Sequence, residues 1–259
     1  MATIYNITDD NRDSAADSII QSCLDLKNPK SFFLFAGAGS GKTRSLISAL
    51  DYINKTFCRE LKLNNRRVAV ITYTKAARDE IKRRCRYNSL FQISTIHSFA
   101  WDLICSHTED IRTWLKSDVS KKITDAETKL ASIRNKETKT YKQTEKNLNK
   151  LKKRLEYLDS VRRFIYNPDG INTESNSLDH TEVVKISAYL LSKQETLQKI
   201  LVDTYPILLI DESQDTKEDL MNVFLSIQEK YSHRFSMGLL GDIMQRVYLS
   251  LIHISEPTR

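Results

Sequence analysis

The chain has 259 residues, 40% of them hydrophobic and including 9 Phe, 11 Tyr and 2 Trp, which is enough apolar material to bury a core and excludes wholesale disorder. Lys and Arg number 40 against 33 Asp and Glu, a net charge of +7 that favours a polyanionic partner without specifying a fold. No apolar run approaches the roughly 20 residues of a membrane span, and the first twenty residues lack the basic and apolar blocks of a secretory leader. The four cysteines (Cys23, Cys58, Cys85, Cys105) are scattered, with neither a CxxC pair nor metal spacing. The expectation is a cytoplasmic protein with reduced thiols and no membrane partner.

Residues 12–26 carry apolar side chains at helical spacing until Asn28-Pro29 stops them. Phe32–Phe35 is a short all-apolar run, as expected of a strand buried on both faces of a parallel sheet. It feeds Ala36–Thr43 and then a helical stretch over Arg44–Lys55. Arg66–Tyr73 reads as a second strand with a helix through Arg84, and Ile93–Ile96 as a third with a helix over Ser98–Cys105. Ile207–Ile210 and Met237–Leu240 complete a set of five. Strands alternating with helices predict an α/β fold with a parallel sheet.

Between the third and fourth strands the pattern changes. Val119, Ile123, Ala126, Leu130 and Ile133 step by threes and fours; so do Leu148, Leu151, Leu155 and Leu158, in a different phase after a polar break near Asn135–Thr140. That predicts two helices folded back as an antiparallel coiled-coil hairpin. A polar loop over 167–180 and a helical pattern over 181–203 follow.

Two segments carry chemistry. The chain holds only 6 glycines, and three of them (Gly37, Gly39, Gly41) fall in AGAGSGKT, Ala36–Thr43, between a predicted strand and a predicted helix. In a P-loop, glycines let successive backbone N–H groups converge on phosphate oxygens, and the helix N-terminus adds a favourable dipole. Ala36, Gly37, Ala38, Gly39, Ser40 and Gly41 would form that cradle. Lys42 would reach the β/γ-phosphates and Thr43 would ligate Mg²⁺. ILLIDESQD, Ile207–Asp215, is a buried strand ending in acids. Asp211 would hold Mg²⁺ and Glu212 would act as general base on the attacking water. Taken alone, such acids read more readily as a helix cap; with the P-loop segment upstream, the Mg²⁺ and general-base reading prevails.

Five segments in order, AGAGSGKTRSL, TYTKAARDEI, STIHSFA, LLIDESQDT and LLGDIMQRVY, resemble the N-terminal motifs of UvrD/Rep-like superfamily 1 helicases. The resemblance implies a P-loop NTPase (RecA-like) sheet flanked by helices, with an inserted helical subdomain of the 1B type containing the coiled-coil hairpin. It implies an ATP- and Mg²⁺-dependent motor moving 3′→5′ on single-stranded DNA and acting at duplex junctions. Arg44 would stack on adenine and Gln245 would sense the γ-phosphate. Tyr73, Thr95, His97 and Tyr248 would contact the single strand, aromatic faces accepting any base at ~1–3 kcal/mol each. Tyr73 reads also as a core residue and His97 as a helix-capping one. Gln21 lies where an adenine-reading glutamine is expected, in flanks (SIIQSCLD) that depart from the usual pattern.

The expected organisation is a first part of domain 1A over 1–105, a 1B-like insertion over 106–203 with a basic hairpin at 118–163, and the rest of 1A over 204–248. The run LSLIHISEPTR, 249–259, resembles translated adapter sequence rather than a helicase segment, so a foreign tail and a missing second RecA-like domain are expected. From Asp118 to Arg163 there are 14 basic and 7 acidic residues, and the remainder of the chain balances. The hairpin, with Lys150, Lys152, Lys153 and Arg154, is therefore the expected phosphate contact, against the alternative of a solvated coiled-coil face. Two other classes stay open: a P-loop ATPase acting on non-DNA partners, and a non-catalytic DNA-binding module. A nuclease, repair or defence partner is left unspecified.

Overall fold

A computed structural model describes residues 12–35, 41–133, 135–167, 174 and 176–241; of residues 12–15 only the backbone is described. Five strands form one sheet: β1 (Phe32–Phe35), β2 (Val68–Thr72), β3 (Phe91–Thr95), β4 (Ile207–Ile210) and β5 (Ser236–Gly241), in the order β1-β5-β4-β2-β3, all parallel. The apolar runs Val68–Ile71 of β2 and Ile207–Ile210 of β4 follow from burial on both faces. Val68, Val70, Ile207, Leu209, Phe91, Ile93, Phe32 and Leu240 share one face, packed with Leu46, Leu50, Ile53 and Ile81. Ala69, Ile71, Leu208, Ile210 and Met237 alternate to the other face and are equally buried. The rings of Tyr205 and Phe224 lie 5.4 and 6.3 Å from that of Phe99, centroid to centroid. This is the P-loop NTPase type of α/β sheet flanked by helices.

The helices are α1 (Arg12–Cys23), α2 (Lys42–Leu63), α3 (Lys75–Arg84), α4 (Ile96–Ile104), α5 (Thr108–Ser132), α6 (Lys139–Leu158), α7 (His180–Lys193), α8 (Glu195–Thr204) and α9 (Glu218–Lys230). Several exceed or divide the expected spans. Helix α2 runs on past Lys55 to Leu63 because Leu61 still reaches the core. The single helical pattern over 181–203 is two helices, broken at Gln194, whose extended backbone begins α8.

The chain divides into two compact units, residues 1–99 with 191–259, and residues 100–190. In the second, α5 and α6 lie antiparallel, as paired positions show: Arg112 donates to the carbonyls of Leu158 and Val161, Lys116 pairs with Asp159, and Lys152 with Glu127 at 2.7 Å. Burial is complete at the base, at Ile111, Leu115, Val119 and Leu158, and partial toward the tip, at Ile123, Ala126 and Leu130. Two helices alone cannot cover their own seam. The base is fastened by Arg154, whose guanidinium makes a two-pronged ion pair, at 2.7 and 2.9 Å, with the buried carboxylate of Glu182. Ser187 ties α7 to the Ala100 carbonyl at 3.0 Å.

Candidate functional site

Because all five strands are parallel, their carboxyl ends share one edge, the edge where open α/β sheets bind ligands. In the sequence each predicted chemical segment overlaps or directly follows a strand. Ala36, Gly37, Ala38, Gly39 and Ser40 lie outside the described residues, as do Gln245, Tyr248 and the run 249–259. Beyond β1 the described chain resumes at Gly41, which starts α2 with φ 87° and ψ 11°, a left-handed conformation that glycine adopts without strain. Helix α2 opens on Lys42, Thr43 and Arg44, whose backbone N–H groups precede the first possible intrahelical acceptor. The first turn contains no acidic residue, so nothing in it competes with an incoming anion.

Asp211 continues β4 by one residue, its N–H donating to the Ile71 carbonyl at 2.8 Å, and is 5% exposed. Burial pushes its carboxyl up to about 6, and the neighbouring Glu212 carboxylate adds to the rise. The Glu212 amide, donating to Asp211 Oδ1 at 3.1 Å, and the Lys42 ammonium act in the opposite direction. Lys42 and Asp211, 169 positions apart in the sequence, lie close enough for the Lys42 ammonium to hold the Asp211 carboxyl down, so the start of α2 and the end of β4 are near one another.

Glu212 takes left-handed backbone angles, φ 50° and ψ 49°, uncommon for a residue with a side chain. The kink turns the chain into a short 3₁₀ turn, Ser213–Asp215, and Gln214 Nε2 donates to Glu212 Oε2 at 2.6 Å. Gly241, ending β5, lies directly on this turn: a Cβ there would stand 2.8 Å from Ser213 Oγ and 3.0 Å from Gln214 Oε1. Gln214 and Gly241 thus hold the general-base candidate. Sequence reasoning missed both, although Gln214 sits inside the quoted DESQD segment.

The ends of β2 and β3 are paired, Thr72 with Thr95, so the expected strand-contacting residues also meet at this edge. Tyr73 is 52% exposed and no core residue. Behind it Thr74 caps α3, its hydroxyl accepting from the Ala77 amide at 3.1 Å. Thr95 is buried, and its hydroxyl is shared with Ser98, 2.9 Å from Ser98 Oγ and 3.4 Å from the Ser98 amide. The capping role at α4 thus belongs to Thr95, with the half-buried His97 inside the first turn. A cavity of about 390 Å³ beside the first four turns of α2 is lined by Gln21, Arg44, Ile47, Ser48, Asp51, Tyr52 and Lys55, bringing Gln21 and Arg44 into one recess.

Among the described residues no group of three or more His, Cys, Asp or Glu side chains could hold a metal ion on its own. No helix among them is long and apolar enough to cross a membrane.

Comparison with known proteins gives a consistent picture. The chain is 24% identical to the Gabija protein GajB of Bacillus cereus (strain HuB5-5), over 82% of this chain and 40% of that protein. It is 25% identical to the ATP-dependent DNA helicase Rep of Buchnera aphidicola subsp. Baizongia pistaciae, over 83% of this chain and 34% of the relative. It is 28% identical to the probable DNA helicase II homolog of Mycoplasma capricolum, over 83% and 32% respectively. The chain thus spans between about a third and two fifths of the length of these relatives. Residues 21–249 match the family model for the UvrD/REP helicase N-terminal domain, and the chain belongs to that family.

Proposed function

We propose that this chain is the ATP-binding portion of a DNA translocase or helicase that moves 3′→5′ on single-stranded DNA. The observation that carries the reading is the Lys42–Asp211 juxtaposition at the carboxyl edge of a parallel sheet. Two adjacent carboxylates, the first buried and held above its ordinary range, form a donor set that a divalent cation would relieve. Mg²⁺ sites in nucleotide enzymes take one or two carboxylates and complete the shell with phosphates and water, which suits Asp211 with the Thr43 hydroxyl. Bound there with ATP, Mg²⁺ would neutralise charge developing on the phosphates.

The protein's own groups then have distinct tasks. The amides around Gly41 and the Lys42 ammonium bind the phosphates. Glu212, oriented by Gln214, accepts a proton from the attacking water. Arg44 and Gln21 take the base in the recess beside α2. Gln245 senses the γ-phosphate. Tyr73, Thr95, His97 and Tyr248 engage the strand, His97 and Tyr73 through side chains and Thr95 by shaping the start of α4. Residues 106–203 serve as a 1B-like insertion whose hairpin meets DNA phosphates. Hydrolysis by this portion alone is slow, since arginine fingers, which the resemblance assigns to a second RecA-like domain, are worth ~10³–10⁵ in rate.

The test is whether nucleotide and DNA binding are linked. Oligo(dT) affinity of the chain should change at least about threefold between the nucleotide-free state and the state saturated with a non-hydrolysable Mg·ATP analogue, because a motor must couple its two ligands. Equal affinities in the two states would identify a DNA-binding module without a motor. Absence of oligo(dT) binding with intact nucleotide binding would identify an ATPase for non-DNA partners.

A further inference from the structure

The opposite, amino-terminal edge of the sheet carries a second concentration of positive charge that the sequence arithmetic conceals. Residues 59–67 (RELKLNNRR) hold four basic side chains and one acid; residues 79–89 (DEIKRRCRYNS) hold four and two. The fold brings these segments together, because the first precedes β2 and the second precedes β3. The Val68 amide donates to the Leu90 carbonyl at 3.0 Å, and Asn88 Nδ2 donates to Asn54 Oδ1 at 2.8 Å.

Some of these cations have ordinary explanations. Lys62, Lys82, Arg83 and Arg84 occupy the last turns of α2 and α3, where they complement the helix dipoles. Glu80 is taken by Arg83 and Arg84, Asp79 by Arg78, and Asp203 by Arg234. Arg66, Arg67 and Arg86 lie beyond the helix ends and are in no ion pair with a carboxylate among the described residues. Arg67 and Arg86 are exposed.

An aromatic ring stands among them. Arg86 and Tyr87 are consecutive residues with positive φ, 51° and 53°, where a helix C-terminus ordinarily uses glycine or asparagine. The backbone so arranged leaves Tyr87 73% exposed. Packing does not account for a ring held in water by an unfavourable backbone. Guanidiniums, asparagine amides (Asn64, Asn65, Asn88) and one exposed aromatic, with Leu63 as the only large apolar neighbour in the two segments that is exposed, match the polar and strongly basic character of nucleic-acid interfaces. An interface with an acidic protein segment would centre on a larger apolar core.

We propose that this edge is a second contact for single-stranded nucleic acid, with Arg66, Arg67 and Arg86 on phosphates and Tyr87 stacked on a base. It stands independently of the nucleotide site, since it lies at the other end of the strands. Phosphate contacts place a strand and release counterions, while the ring supplies sequence-tolerant stacking.

The experiment compares the full chain with Arg66→Gln/Arg67→Gln/Arg86→Gln and with Tyr87→Ala. Fluorescence anisotropy of a labelled 20-mer of deoxythymidine is followed between 50 and 300 mM salt. The triple variant should bind about tenfold more weakly at the lowest salt, with a log–log salt slope shallower by about 2, near 0.7 per lost phosphate contact. Tyr87→Ala should weaken binding about fivefold or more with the slope unchanged. Should the triple variant lose its helical circular dichroism, the exposed pair Arg67→Gln/Arg86→Gln should still flatten the slope by about 1.4. Mg·ATP binding, measured in the same samples, should be unchanged, which separates this contact from the nucleotide site. Unaltered affinity and slope in the folded arginine variant overturn the proposal. So does displacement of the oligonucleotide by polyglutamate at equal charge concentration with Tyr87→Ala silent, a result that assigns the edge to an acidic protein segment.

Discussion

Asp211 shows how one carboxylate can be set at the expense of the fold. Its carboxyl is raised to about 6 by burial first and by Glu212 second, while its unfolded value stays near 3.8. The folded state therefore holds the proton more tightly. The stability this group contributes is full below about pH 4 and is lost as pH rises through 6. At neutral pH the nucleotide-free protein holds a buried charge beside another acid, offset only in part by the Glu212 amide and Lys42. Asp211→Asn should accordingly stabilise that form at pH 7.5 by about 1–3 kcal/mol in urea unfolding, with the gain shrinking toward pH 5. The same variant should lose most of the stabilisation that Mg·ATP gives the wild type. A less stable variant at both pH values would show that the carboxylate is structurally satisfied rather than poised for a cation. Glu212 calls for the opposite outcome: Glu212→Gln should retain Mg·ATP binding within about threefold and lose hydrolysis at least about 100-fold, as removal of a general base does.

At the scale of elements, two contacts decide whether the site is held. Strand β5 is inserted between β1 and β4, and the sheet closes there only because residue 238 lacks a side chain. A Cβ on Gly238 would stand 2.4 Å from Phe32 Cζ and 2.6 Å from Leu209 Cδ2. Gly238→Ala should cost about 1–3 kcal/mol as overpacking, and Phe32→Leu in the same chain should restore part of it; thermal melts of the single and double variants decide. In the second unit, Arg154 belongs to the packing of α6 against Glu182 rather than to a surface array of cations. Arg154→Leu leaves the buried Glu182 carboxylate unpaired and should destabilise that unit by about 3 kcal/mol, read as faster amide exchange in α6 and α7. Lys150 and Lys153 are exposed, so replacing those two tests the hairpin's phosphate contacts without disturbing the fold. Lys152 adds less to that test, being paired with Glu127.

For the molecule as a whole, what was legible in the sequence depended on whether the cause was local. Strands β2 and β4 announce themselves because burial on both faces demands apolar runs, whereas β3, with Gln92, Ser94 and Thr95, begins at Phe91, two residues ahead of its most recognisable stretch. The candidate pair Lys42 and Asp211 stood out in the sequence because glycines cluster before one and acids follow a buried strand at the other. Sheet order was not legible, since nothing in the sequence of β5 says that it enters between β1 and β4. Nor was the close approach of Gly241 to the turn that carries Glu212 and Gln214, which exists only once β5 is in place. Net charge misled in a particular way: the surplus of +7 resides arithmetically in the hairpin, yet folding gathers a separate basic edge from segments whose charges cancel elsewhere. The central claim, that the carboxyl edge of this sheet is an ATP site built on Lys42, is tested most directly by titration calorimetry of Mg·ATP into the chain and into Lys42→Ala. The account predicts one saturable site in the wild type and no measurable heat of binding in the folded variant. Equal affinity in the two proteins would contradict it.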